Sequence, residues 1–303
     1  MTHASLSIDE IVAAFKFNDG VYQREMVDAA TARQYEIIPR LIEILQKVLA
    51  DPEPYIKNED RMDHIYALML LGHLKAQAAH GVIADLFSLS EEILDDLYGD
   101  IVTGDLSAIL ANTCGGSLER MKTMALDPEV GEYARLSALE GMAYAVADDP
   151  NRRDEVVALF GSLFTGREAE EGSDFWGLLA NTICDIYPEE NMPVIEQAYE
   201  DGLISPGTIG FEAFERSMKE GRAATFEKLR ARREAYSLDD LHASMEWWAC
   251  FEGGEELFSP TGPTDLFFSD SYAPAMTQSK KSEKARKKKK RKQAKASKRK
   301  NRR

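Results

Sequence analysis

The chain has 303 residues, 44% of them hydrophobic, with 37 Lys and Arg against 52 Asp and Glu. That length supports one large domain or two ordinary ones around a real core. It holds no apolar run of about 18 residues, which excludes a membrane-spanning helix, and its three scattered cysteines, Cys114, Cys184 and Cys250, fit neither a disulfide framework nor a zinc knuckle.

The net charge of -15 conceals a division. Residues 279–303 carry 16 Lys and Arg and one acid, Glu283, whereas residues 1–278 hold 21 basic and 51 acidic side chains. An acidic body is joined to a basic tail. The opening "MTHASLSIDEIVAAF" has no basic n-region and no cleavage site, so no secretory signal is expected and a reducing cytoplasm is the expected compartment.

In chain order, Ser7 and Glu10 form a capping box, and Ile8, Ile11, Val12 and Phe15 follow on one helical face. Ile37, Ile38, Leu41, Ile42, Leu45, Val48 and Leu49 make a second stripe. Pro39 is expected early in that helix, where its missing N–H costs little, and "DPEP" stops it. Four helix pairs come next. "HIYALMLLGHL" pairs with "HGVIADLFSL", and "GDLSAILANT" with "SLERMKTMAL". "ARLSALEGMAYAV" pairs with "RDEVVALFGSLF", and "DFWGLLANTICDIY" with "MPVIEQAYEDG". Two-residue alternation is absent, so no sheet is expected.

Leu-Ala-Asn-Thr occurs twice, with Asn112 and Asn181 at its third position. Gly72, Asn112, Gly141 and Asn181 hold the same place, just after a leucine near the middle of a first helix, at spacings of 40, 29 and 40 residues. A two-helix unit of that length is the period of an α-solenoid. The tetrapeptide then reads as packing: small residues admit a neighbouring helix, and each asparagine is expected buried with its amide on backbone.

"DPEVGEYARLSALEGMAYAV" resembles a HEAT-type repeat, with Asp127, Pro128 and Val130 opening it and Ala134, Ala138 and Leu139 at its small and core positions. The resemblance spans roughly residues 20–205. The whole body is similar to a bacterial helical-repeat family of uncharacterised function. Some members of that family end in a cysteine-rich zinc motif like the one closing the SecA translocase. This chain has no cysteine after Cys250, so the resemblance carries no zinc site over.

The expected fold is therefore all-α: a right-handed solenoid of HEAT-like helix pairs over 1–205, closing helices over 206–252, a linker over 253–278 and a disordered Lys/Arg-rich tail over 279–303. "MEWWACF" is expected to cap the last repeat; exposed, Trp247, Trp248 and Phe251 would make a partner patch. Phe267 and Phe268 stand out in the linker, as a segment that docks back or as a short linear motif.

Catalytic patterns are sparse. His3, His64, His73, His80 and His242 have no metal-ligand spacing and are expected at the surface or as caps. Glu91, Glu92, Asp95, Asp96 and Asp100 read as a solvated helix face. There is no phosphate loop and no nucleophile elbow, so no cofactor and no enzymatic activity are expected. The basic run offers phosphate contacts through Lys287, Lys288, Lys289, Lys290, Arg291, Lys292, Lys298, Arg299 and Lys300. It has no aromatic residue to stack on bases. The expected function is an interaction scaffold: the acidic solenoid binds a protein or peptide, and the tail tethers to RNA, the ribosome or another polyanion. Two alternatives stand beside it. One is a hydrolase with acids and histidines on the concave face. The other is a body whose own tail occupies it.

Overall fold

A computed structural model describes residues 6–251 of the chain. Those residues form seventeen α-helices and no strand, in line with the expected all-α class. The linker from 253, with Phe267 and Phe268, and the basic tail lie outside the described residues.

α1 (Ile8–Ala14) begins at the expected capping box. Ser7 N donates to Glu10 Oε2 at 2.7 Å, and Glu10 N donates to Ser7 Oγ at 3.2 Å. α2 (Arg24–Ala32) and α3 (Gln34–Ala50) follow. α3 starts about a turn earlier than its apolar stripe suggests, so Pro39 sits inside the helix. The carbonyl left without its partner belongs to Tyr35, which is exposed to water.

α4 (Glu53–Ile56) leads to the helix pairs read from the sequence. The first is α5 (Asp63–His73) with α6 (His80–Leu86). Two short helices, α7 (Glu91–Tyr98) and α8 (Ile101–Gly104), are inserted after it. The second pair is α9 (Leu106–Thr113) with α10 (Glu119–Leu126), the third α11 (Glu132–Asp148) with α12 (Arg153–Gly161), and the fourth α13 (Phe175–Asp185) with α14 (Met192–Glu200). The first helices pack side by side, α5 on α9, α9 on α11 and α11 on α13, while α6 packs on α10.

Two buried arginines join neighbouring pairs. Arg153 is 1% exposed. It donates to the carbonyls of Ile186 and Tyr187 just past α13, and pairs with Glu190. Arg135 donates to the carbonyl of Ala125 near the end of α10 and lies over the Phe175 ring. Each guanidinium thereby satisfies carbonyls that a helix end leaves without partners.

The closing segment departs from expectation. α15 (Glu212–Glu220) packs on α13, Gly221 turns the chain, and α16 (Arg222–Ala235) runs back over α13 and α11. α17 (Leu241–Met245) reaches α5, and the Phe251 ring packs at a tilt against Tyr22 and Tyr66 near the start of the chain. Residues 222–251 are a strap drawn across the first helices rather than a cap on the last pair. The reason lies in composition. Every residue from Asp63 to Gly72 and from Leu106 to Thr113 is buried. Helices this apolar, buried all round, need cover on every side, and the strap supplies it with Leu238, Leu241, Met245 and Phe251, all buried.

Candidate functional site at the seam between strap and helices

The strap is held by contacts that alternate between packing and charge. A Cβ on Gly72 would stand 2.8 Å from Leu238 Cδ1 and 2.9 Å from Ile109 Cγ1. Only a glycine lets the strap and α9 approach α5 this closely. The Gly72 carbonyl accepts from Asn112 Nδ2 at 3.0 Å, and Asn112 Oδ1 accepts from Arg233 Nη2 at 2.5 Å. Arg233 also pairs with Asp148 at 3.4 Å and lies over the Tyr144 ring. Beside it, Arg232 pairs with Asp185. Burial pushes the Asp185 carboxyl up, and Arg232 pulls it part of the way back. His73 Nδ1 donates to the carbonyl of Leu238, and Lys75 pairs with Asp239 at 3.1 Å.

A cavity of about 450 Å³ opens along this seam. Ala111 and Ala147 leave the space on the helix side; Lys75, Asn112, Asp148, Arg230, Arg233, Glu234, Ser237 and Asp239 line the rest. Its three cations face three carboxylates, and Arg233 Nη1 is buried without a partner.

At the far end His242 bridges two groups. Its Nε2 lies 2.9 Å from Asp28 Oδ1 and its Nδ1 lies 3.0 Å from Tyr22 Oη. A carboxylate only accepts, so Nε2 carries a proton, and in the neutral ring Nδ1 accepts from the Tyr22 hydroxyl. Burial pushes the Tyr22 phenol well above its usual range, which keeps that proton on oxygen. Arg24 pairs with Glu246, and Asn18 Nδ2 donates to the Cys250 carbonyl at 3.1 Å.

The residues singled out in the sequence are placed as follows. Trp247 is 45% exposed, Trp248 is half-buried and stacked on Phe251, and Phe251 is 4% exposed. The aromatic cluster therefore serves mainly to seat the strap, and Trp247 is what it offers to the outside. Lys287, Lys288, Lys289, Lys290, Arg291, Lys292, Lys298, Arg299, Lys300, Phe267 and Phe268 lie outside the described residues. The described histidines sit at seams rather than at the surface. His64 reaches the Leu97 carbonyl and His80 reaches Thr113 Oγ1, and both rings are buried. No group of three or more metal-ligating side chains exists among the described residues. Asn112 is buried as expected; Asn181, at the matching place in α13, is only half-buried.

The acidic stretch on α7 is amphipathic, with Leu94 and Leu97 inward and Glu91 and Asp95 outward. α7 touches the start of α11, where a Cβ on Gly131 would lie 3.2 Å from Glu91 Cβ. Partial burial, and then the like charges of Glu132 and Asp95, push the Glu91 carboxyl up. Tyr133 stands beside them, 47% exposed.

From residue 6 to residue 252 the sequence matches a family described as a protein of unknown function, DUF1186. The chain belongs to the DUF1186 family. The matched range takes in the helix pairs and the strap together. An uncharacterised protein of Chlamydia trachomatis is 29% identical over 211 residues, 70% of this chain and 84% of that protein. An uncharacterised protein of Chlamydia muridarum is 28% identical over 247 residues, 80% of this chain and 97% of that protein. The family is thus a bacterial one of uncharacterised function, as the sequence resemblance implied. No solved structure matches the chain. Among the described residues no helix is long and apolar enough to cross a membrane.

Proposed function

We propose that the chain is a non-enzymatic interaction scaffold of the cytoplasm, built as a right-handed solenoid of HEAT-like helix pairs. Its acidic body takes a basic protein or peptide, and its basic tail tethers the complex to RNA, the ribosome or another polyanion. The observation that carries this reading is the crowding of like charge at Glu91, Asp95 and Glu132, where α7 meets α11. Carboxylates held together repel one another, and a basic side chain laid between them relieves that repulsion. The exposed Tyr133 ring beside them offers the apolar contact that anchors interfaces. The face across the first helices carries the chain's own strap, so a partner is assigned to the edge formed by α7 and the start of α11.

The test is capture from the native host with the full chain, with and without nuclease, against the triple variant Glu91→Gln, Asp95→Asn, Glu132→Gln. The expected result is a basic protein retained by the full chain after nuclease and lost by the variant. Retention of the same protein by both would overturn the assignment of the surface. Turnover of a captured small molecule would overturn the non-enzymatic reading.

A further inference from the structure

Apart from its contacts with α15, the strap is attached to residues distant in sequence. Leu238 sits against Gly72, Arg233 on Asn112, His242 on Asp28, and Phe251 on Tyr22 and Tyr66. Such contacts form equally well whether strap and helices belong to one chain or to two.

What keeps the strap on its own chain is a single residue. α15 ends at Glu220 and α16 starts at Arg222, with Gly221 between them at φ 86° and ψ 161°. That region of backbone space is open essentially to glycine alone. The constraint is conformational and not steric, because a Cβ built on Gly221 meets nothing within 4 Å. If residue 221 took helical angles, α15 and α16 would merge into one continuous helix from 212 to 235, and the strap would point away from its own helices. The contacts bridging the turn, which straightening gives up, are the packing of α15 on α16, Ser217 Oγ to Thr225 Oγ1 at 3.1 Å, and Glu220 with Lys228 at 2.6 Å. Everything else the strap makes is available on another molecule.

We infer that residues 222–251 are an exchangeable arm whose alternative acceptor is the helix array of a second copy of this chain, with Gly221 as the hinge that decides between the closed monomer and the strap-exchanged dimer. A one-residue hinge between two helices is the arrangement in which exchange is least costly, since straightening it creates helix and exposes no new loop. This inference does not depend on the partner proposed above.

The test is Gly221→Ala in the full chain, read by size-exclusion chromatography with light scattering. The strained closed turn is penalised and the continuous helix favoured, so the dimer fraction should rise roughly tenfold or more over wild type. Inserting three residues (Gly-Ser-Gly) after residue 221 of the Gly221→Ala protein relaxes the turn and should return it to monomer.

Exchange is separated from other dimers by refolding two chains together in a Cys250→Ser background. One chain carries Arg24→Cys and the other Glu246→Cys, each also with Gly221→Ala. A short bis-maleimide should then give a cross-linked dimer that neither chain gives alone. A monomeric Gly221→Ala protein, or a dimer without that cross-link, overturns the inference. If Gly221→Ala does not fold, wild-type chains bearing the same cysteines, refolded together at high concentration, decide it: absence of the cross-link refutes exchange.

Discussion

Asn112 donates its side-chain amide to the carbonyl of Gly72 on the preceding first helix, at 3.0 Å, while its oxygen accepts from Arg233 of the strap. One buried amide thus ties together three segments 40 and 121 residues apart. Replacing Asn112 with leucine takes one of its partners from the Gly72 carbonyl, which keeps Lys75 N, removes an acceptor from the Arg233 guanidinium, and adds bulk where none fits. A loss of about 1–3 kcal/mol is expected from denaturant unfolding. The same change at the half-buried Asn181 should cost less; an equal or larger loss there would show that the two asparagines do not differ as their burial implies.

Gly72 is fixed by close approach. Gly72→Ala puts a methyl group within 3 Å of both Leu238 and Ile109. Overpacking of this kind costs about 1–3 kcal/mol. Combining it with Leu238→Ala should recover part of that loss, because the two changes share one contact. Simple additivity of the two would mean that the strap does not bear on α5.

Arg153 is buried against two carbonyls and Glu190. Arg153→Met leaves both carbonyls without their donor while the exposed Glu190 carboxylate turns to water, and about 1–3 kcal/mol of stability should be lost. Glu190→Gln keeps a hydrogen-bonding partner and should cost clearly less. The comparison needs only two chemical denaturation curves alongside wild type.

Asp105, just ahead of α9, has its carboxyl pushed up to about 6 by burial. Its folded value lies above the unfolded one, so the protonated form favours the fold. The contribution is whole below about pH 4 and is lost as pH rises through about 6, on the order of 2 kcal/mol. Asp105→Asn mimics the neutral acid. The stability difference between variant and wild type should therefore grow in the variant's favour between those pH values and stay flat above them. A difference independent of pH would mean that Asp105 is ionised throughout.

A chain ending at Gln278 should unfold as the full chain does, because residues 279–303 carry almost no apolar side chain to bury. It should lose any polyanion binding of the full chain. For the full chain, eight phosphate contacts on a single strand correspond to a log–log salt slope of about -6. The acidic body competes for its own tail, so the peptide 279–303 should bind more tightly than the intact protein. Salt-insensitive binding, equal with and without the tail, would leave the tether without support.

Much of this molecule was legible in its sequence because the determinants are local. The capping box at Ser7 and Glu10, the paired helices and the small residues of Leu-Ala-Asn-Thr all act within a turn or between adjacent helices. The tie from Asn112 to Gly72 accounts for the repeated tetrapeptide at its first occurrence. The strap was not legible as such. Its signals were present: α5 and α9 are mostly apolar with no solvated face, and two adjacent arginines, Arg232 and Arg233, occur in a helix read only as a closing one. Neither says which distant surface is the partner. Arg135 and Arg153 escaped for a similar reason, since a cation that caps another helix's carbonyls leaves no mark in its own neighbourhood.

An open array of helix pairs behaves as a one-dimensional stack, in which units can be removed from either end and the remainder persists. The hydrogen bond from Asn18 to Cys250 spans 232 residues, and with the rest of the strap it turns that stack into a closed circuit. Stability can then no longer be a sum of neighbouring units. The helices near the start of the chain lack their last buried cover until residue 251 is in place, so native closure waits on a very long loop. The same geometry brings Asn18 and Cys250 together in space, so the two ends of the described body are held by one another rather than by their sequence neighbours.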